Sequence, residues 1–198
     1  MVPSRGVNYL PVNILNRYEL FLVQNDKKPS CVVSLCADKP NYRKKLVRFT
    51  ENNGLFIEVD ENDKTLYFVS KNWEYVKELK EIWNDNGDKE KLIRKGELLG
   101  YSMKAVEAFA KFANDKERSR YLALCDNPYG GYILRVNHRI EDSRISKEWR
   151  EFVKNTNPQL LQWVDKKIKP HLQNNFTFVY QMTLELIKST QTIQKKSS

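Results

Sequence analysis

The sequence predicts an α+β fold, with a small antiparallel sheet in the N-terminal part and mainly helices in the C-terminal part. Two runs rich in β-forming residues, 55–59 and 65–69, flank an acidic turn and predict a β-hairpin. Beyond this hairpin, apolar residues recur every three or four positions, which is typical of amphipathic helices. A chain of 198 residues can bury one hydrophobic core. We therefore expect a single domain over the whole chain, with a sheet-containing part over 1–85 and a mainly helical part over 86–198.

Local signals predict the other elements of the N-terminal part. Pro11 suits the first turn of a helix that runs to about Gln24, and a turn-forming segment separates this helix from a strand over 31–37. A short basic segment over 40–49 predicts another helix, and Asn72 is placed to cap the first helix after the hairpin. The first helix is supported by apolar residues at helical spacing, namely Ile14, Leu15, Tyr18, Phe21 and Leu22.

Glycine, proline and capping residues divide the C-terminal part into further helices. A helix over 89–99 ends before Gly100, because glycine readily adopts the left-handed backbone that follows many helices. Ser102 is then predicted to cap the next helix. Ser146 and Asn157 are predicted as caps of two more helices.

Two further patterns concern a strand and the last helix. Alternating apolar and polar residues predict a half-buried strand over 132–140, with a helix as the weaker alternative. The last helix places seven residues on one side at steps of four and three: Leu172, Phe176, Val179, Thr183, Leu186, Thr190 and Ile193. Such a seam must be buried. We expect it to pack within the chain, so a monomer is favoured over a helix-mediated dimer.

Composition excludes several classes of protein. The N-terminus lacks the apolar segment of a secretory signal, and no apolar run approaches the roughly 20 residues needed to cross a bilayer. We therefore expect a cytoplasmic protein that does not bind membranes. Three cysteines indicate free thiols rather than a disulfide framework. Cys31 and Cys36 point to opposite faces of their predicted strand, so they cannot share a zinc ion there, and we expect no metal or cofactor.

The sequence offers no convincing catalytic constellation. Glycine-rich nucleotide-binding patterns are missing, and the acidic hairpin turn lacks the spacing of a carboxylate-type metal nuclease. Cys125 and His138 can be drawn as a nucleophile and its base, with Asp126 or Asp142 as the orienting group. His138, however, falls on the apolar face of its predicted strand, where a hydrogen-bonded core histidine is the more common outcome. The sequence therefore favours a binding protein over an enzyme.

One segment carries a family resemblance. Residues 99–109 read Leu-Gly-Tyr-Ser-Met-Lys-Ala-Val-Glu-Ala-Phe. This segment is similar to the Leu-Gly-Tyr-Pro-x-Cys-Cys-Val-x-x-Phe signature of a prokaryotic protein family of unassigned function, commonest in archaea. The order of hairpin, helix and Leu-Gly-Tyr is also similar, so the resemblance implies a similar architecture. Ser102 replaces the proline, and Lys104 and Ala105 replace the paired cysteines, so a thiol or metal role of that pair does not transfer.

Basic charge is the most informative feature of the sequence. Lys and Arg number 34 against 25 Asp and Glu, which gives a net charge of +9, and such an excess attracts polyanions. Arginine forks bind phosphate and aromatic faces stack on bases, so this composition predicts binding of nucleic acid or a nucleotide. Two clusters are predicted to bind it: Arg43, Lys44, Lys45 and Arg48 in the first, and Arg118, Arg120, Tyr129, Tyr132, Arg135 and Arg139 in the second.

Two other interpretations stay open. A lysine-rich surface also keeps a protein soluble, and the arginines of the second cluster could form ordinary ion pairs with nearby carboxylates. The competing functional class is a protein-interaction module, for example a virus-encoded inhibitor or adaptor that docks on an acidic host protein. The content of lysine, asparagine and tyrosine suits an AT-rich genome.

Overall fold

A three-stranded antiparallel sheet lies at the centre of the structure. The computed structural model describes residues 6–85, 88–101, 103–110 and 139–166. Its strands are β1 (Ser30–Ser34), β2 (Phe56–Val59) and β3 (Leu66–Ser70). Their order is β1-β3-β2, and both neighbouring pairs are antiparallel. The predicted hairpin is β2–β3, and the predicted α+β fold class is confirmed.

Helices account for most of the remaining described residues. A short 3-10 turn, Val7–Tyr9, precedes them. The helices are α1 (Ile14–Gln24), α2 (Pro40–Asn52), α3 (Trp73–Ile82), α4 (Lys89–Leu98), α5 (Met103–Ala110) and α6 (Arg139–Thr156). A further helical run covers 158–166. No helix in the described ranges is long and apolar enough to cross a membrane.

The two faces of the sheet pack against different helices, because successive side chains of a strand point to opposite faces. Cys31, Val33 and Val69 belong to a core that includes buried residues of α1, α2, α6 and the 158–166 run. Phe68, on the opposite face, packs with buried residues of α3 and α4. The sheet is therefore covered on both faces.

The first helix begins later than the sequence predicts. α1 starts at Ile14 rather than Pro11, because the Asn13 side chain caps it by accepting a hydrogen bond from the Asn16 amide at 2.8 Å. The chain before this cap is extended. Its Val12 forms an isolated bridge with Leu35, and the Pro11 carbonyl accepts a hydrogen bond from the amide of Cys36 at 3.0 Å.

The predicted strand over 31–37 is shorter in the structure and separates the two cysteines. β1 ends at Ser34, and Cys36 lies beyond it with its side chain exposed. Cys31 is completely buried in the strand. The expectation that both cysteines lie on one strand therefore holds for Cys31 and is wrong for Cys36.

The predicted strand over 132–140 is wrong at its C-terminal end, where residues 139 and 140 belong to α6; residues 132–138 lie outside the described residues. Ser146 does not cap a helix, since it lies inside α6. The physical reason is tertiary burial: Ile145, Trp149 and Val153 recur at steps of four and pack against the core.

Several predicted helix ends are confirmed. The Asn72 side chain caps α3 by accepting a hydrogen bond from the Glu74 backbone amide at 2.9 Å. The Asn157 side chain accepts a hydrogen bond from the Leu160 backbone amide at 3.2 Å and so caps the 158–166 run, in which Pro158 is the first residue. The seam from Leu172 to Ile193 and the Ser102 cap lie outside the described residues.

Gly100 ends α4 as the sequence predicts. Its φ is +74°, its amide bonds to the Glu97 carbonyl at 2.8 Å, and the Tyr101 amide bonds to the Gly96 carbonyl at 3.0 Å. This pair of bonds is a Schellman motif. A side chain at Gly100 would also lie 2.8 Å from the Pro29 ring. The segment that carries the family resemblance therefore fixes how the end of α4 meets the chain before β1.

Candidate nucleic-acid interface

The first predicted basic cluster lies on α2, a helix with one buried and one exposed side. Pro40 occupies its first turn, where its missing amide hydrogen is not needed. Leu46 and Phe49 are buried in the core on one side. The helix ends in a second Schellman motif, in which Gly54 has a φ of +62° and the Leu55 amide bonds to the Thr50 carbonyl at 2.9 Å.

The exposed side of α2 carries three cations, Lys44, Lys45 and Arg48, which we call the α2 basic face. All three side chains are exposed. None of them has an ion-pair partner among the residues that the structure describes. The only acidic residue in this helix is Glu51.

Several cations of the neighbouring helices α3 and α4 are paired with carboxylates. On α3, Lys77 pairs with Glu74 at 2.9 Å. On α4, Arg94 pairs with Glu78 at 2.6 Å. Lys91 likewise pairs with Asp85 at 2.8 Å and Lys80 with Glu58 at 3.3 Å. The α2 basic face differs in grouping three exposed cations on one helix, none of which has an ion-pair partner in the described part of the chain.

Arg43 and the nearby aromatic ring are less available than the sequence suggests. Arg43 forms an ion pair with Asp38, and its Nε atom is buried. The Tyr42 ring is partly buried and lies 5.5 Å from the Lys39 ammonium. This part of α2 therefore provides cations, while its aromatic ring is already in contact with a lysine.

Most of the second predicted cluster is not tested by the described part of the chain. Arg118, Arg120, Tyr129, Tyr132 and Arg135 lie outside the described residues. Arg139 is the first residue of α6 instead of lying on a strand face. Two neighbours from the same part of the sequence are used internally: Arg150 binds both carboxylate oxygens of Asp165 at 2.6 Å, and Trp149 is buried.

Sequence reasoning missed a buried ion pair. The Lys28 side chain is only 1% exposed and pairs with Glu19 of α1. Its ammonium also lies 5.9 Å from the centroid of the Tyr101 ring and 5.8 Å from that of Trp149. Burial is the largest single influence and lowers the pKa of Lys28, but the Glu19 carboxylate, with smaller contributions from Tyr101 and Cys31, makes the net direction upward. No signal in the turn-like segment around Lys28 could have predicted its burial.

The buried Cys31 thiol does not belong to a metal site among the described residues. Burial raises the pKa of Cys31 well above its usual range, so its thiol stays protonated. The structure brings no three potential metal-ligating side chains together within the described ranges. The geometry therefore gives Cys31 a packing role beside the buried ion pair.

The chain has no match among family models, curated proteins or solved structures. The resemblance of residues 99–109 to the prokaryotic signature therefore stays a prediction. Any function assigned to the α2 basic face is argued from its geometry and charge.

Proposed function

We propose that the protein binds nucleic acid through the α2 basic face. The observation that carries this proposal is the run of three exposed, uncompensated cations on one helix. Exposed lysines and arginines bind phosphate without first breaking an ion pair. Paired cations, such as those of α3 and α4, would have to give up their carboxylates.

The shape of this face favours a polymer over a mononucleotide. Lys44 and Arg48 are one helical turn apart, about 6 Å along the axis. They lie on the outer side of a helix, where a single nucleotide would find no enclosing wall. A backbone with regularly spaced phosphates can contact all three cations at once.

Phosphate contacts carry this binding. Within α2 itself neither aromatic ring is open, since Tyr42 lies under Lys39 and Phe49 is buried. Base stacking would therefore have to come from Tyr129 and Tyr132, which lie outside the described residues. We expect α2 to bind with little sequence preference.

The test is the salt dependence of binding to a labelled oligonucleotide, measured by fluorescence anisotropy from about 50 mM salt upward. Each phosphate neutralised adds about −0.7 to the slope of log K against log salt for single strands and about −0.9 for duplexes. Three cations thus contribute about −2 or about −2.7. Replacing Lys44, Lys45 and Arg48 by Gln should remove this part of the slope and weaken binding at low salt.

A matched control separates the α2 basic face from net charge. Lys77→Gln, Lys91→Gln and Lys154→Gln together remove the same three charges from exposed ion pairs, which contribute little to stability. This variant should bind like the native protein. Equal weakening by both triple variants would show that only net charge matters. No binding of native protein to any oligonucleotide at about 50 mM salt would remove the proposal and favour an acidic protein as the partner.

A further inference from the structure

The two outer edges of the sheet differ in whether their outward backbone groups have hydrogen-bond partners among the described residues. The edge of β1 is covered by the side chain of Asn16. Its Nδ2 donates a hydrogen bond to the Val32 carbonyl at 3.1 Å, and its Oδ1 accepts one from the Ser34 backbone amide at 3.0 Å. These are the backbone groups of β1 that point away from β3. Asn16 thus takes the place of a neighbouring strand, which is one way in which proteins block an edge.

The edge of β2 has no such cover in the described part of the chain. Asp60 bonds through its amide to the Leu66 carbonyl at 2.9 Å. Hydrogen-bonded pairs alternate along an antiparallel ladder, so Glu58 and Phe56 also face β3 while Ile57 and Val59 face outward. The outward amide and carbonyl groups of these two residues meet no partner among the described residues. They form an open template for another strand.

An acidic cavity adjoins this edge on the side of α3. Its volume is about 550 Å³, and its lining includes four carboxylates, Glu58, Asp60, Glu61 and Glu81, against two lysines, Lys77 and Lys80. The Asp60 carboxylate is used within the turn, since it accepts hydrogen bonds from the backbone amides of Asn62 and Asp63 at 2.8 Å. The cavity carries an excess of two negative charges in a chain whose net charge is +9. Its charge is therefore complementary to a cationic partner.

Exposed aromatic rings lie at the same place. Phe56 is 46% exposed and Trp73 is 36% exposed, and their ring centroids are 5.8 Å apart. The ammonium of Lys77 lies 5.7 Å from the Trp73 centroid. Trp73 is thus in contact with a lysine of the chain, while Phe56 is the more exposed of the two rings and is placed to contact a partner lysine or arginine.

We propose that the outer edge of β2 binds an extended, basic segment of a partner protein as a fourth strand of the sheet. The backbone of the segment pairs with Ile57 and Val59. Every second side chain of the segment is a lysine or arginine that faces the acidic cavity beside Phe56 and Glu58. This surface is separate from the α2 basic face, and the inference does not depend on nucleic-acid binding.

A second copy of this chain is a poorer occupant. An antiparallel pairing of two β2 edges, with Ile57 of one copy opposite Val59 of the other, would place the two Glu58 side chains directly opposite each other. Like charges across adjacent strands are destabilising. The charge of the cavity therefore selects a basic segment.

The experiment uses the full chain and a synthetic peptide of alternating lysine and valine, about seven residues long and blocked at both ends. Amide exchange measured by NMR reports the edge directly. In the free protein, the Ile57 and Val59 amides should exchange rapidly while the Glu58 amide is protected by β3. Added peptide should protect Ile57 and Val59. Slow exchange of these two amides before peptide is added would overturn the proposal, because the chain itself or a second copy would already occupy the edge.

Backbone pairing is tested with two peptides that differ only in which amides are N-methylated. In an antiparallel fourth strand the valine amides face β2 and the lysine amides face solvent. Methylation of the valine amides should therefore weaken binding at least tenfold, and methylation of the lysine amides should not. The reverse ranking would indicate a parallel strand. Equal effects of the two methylations would overturn strand addition.

Charge complementarity is tested on the protein. Glu61→Lys with Glu81→Lys changes two exposed carboxylates and reverses the charge of the cavity, so peptide affinity should fall at least tenfold. Glu107→Lys with Glu151→Lys makes the same change in net charge elsewhere and should leave affinity unchanged. A glutamate–valine peptide should not bind. Equal binding of the lysine and glutamate peptides would contradict the proposed partner.

Discussion

The buried ion pair between Lys28 and Glu19 allows a quantitative prediction. Glu19→Gln keeps the shape of the side chain and removes its charge. The Lys28 ammonium then stays in a site where its side chain is only 1% exposed, beside the rings of Tyr101 and Trp149. Removing one partner of a buried pair costs about 3–5 kcal/mol, and cation–π contacts recover about 0.5–2 kcal/mol. We expect Glu19→Gln to lower the free energy of unfolding by about 3 kcal/mol.

The reciprocal change should be milder. Lys28→Met removes the more deeply buried charge, and the Glu19 side chain that remains is 16% exposed, so water can solvate part of it. We expect a loss of about 1–2 kcal/mol. The double variant should lose less than the sum of the two single variants, because neither charge is left unpaired.

Urea unfolding of the full chain at neutral pH, followed by tryptophan fluorescence, measures these differences. The pH dependence supplies a second check. In the native protein the pKa of Lys28 is raised, so its contribution is complete below the ordinary lysine pKa and is lost as pH rises through the folded value. Without Glu19, burial alone would depress this pKa, and the deficit of Glu19→Gln should shrink towards about pH 10. A loss smaller for Glu19→Gln than for Lys28→Met would refute the reasoning.

Three further changes test other parts of the structure. Gly54→Ala and Gly100→Ala both place a side chain at positive φ, but only Gly100 faces a neighbour, at 2.8 Å. Urea unfolding should show a loss of about 1–2 kcal/mol for Gly54→Ala and a larger loss for Gly100→Ala, and equal losses would argue against the Pro29 contact. Asn16→Ala removes the bonds that cover β1 and should cost about 1–3 kcal/mol; an unchanged unfolding midpoint would contradict that role. Under native conditions iodoacetamide should modify Cys36 and spare Cys31, as read by peptide mass spectrometry, and comparable labelling would show that Cys31 is not buried.

The sequence by itself determined the features that depend on neighbouring residues. The hairpin, the Asn72 and Asn157 caps and the left-handed Gly100 were all predicted correctly, since turns and caps are decided by the backbone chemistry of a few consecutive residues. The helical spacing of the first basic cluster was predictable for the same reason.

Only the tertiary structure decided which of these residues are available. Arg43 belongs to the first predicted cluster, yet it is paired with Asp38. Arg150, which follows the second cluster in the sequence, is paired with Asp165. The predicted helix start at Ser146 is wrong, because residues on both sides of Ser146 pack against the core and α6 continues through this position.

The buried charge and the open edge depend on contacts between distant segments. Lys28 is enclosed by Glu19, Tyr101 and Trp149, which come from separate parts of the chain. Asn16 covers β1 although it belongs to a helix, and β2 stays open on its outer side in the described structure. Periodicity and capping rules cannot predict such contacts, because these rules use only residues that are close in the sequence. Burial and ion pairing depend on distances between residues that folding brings together.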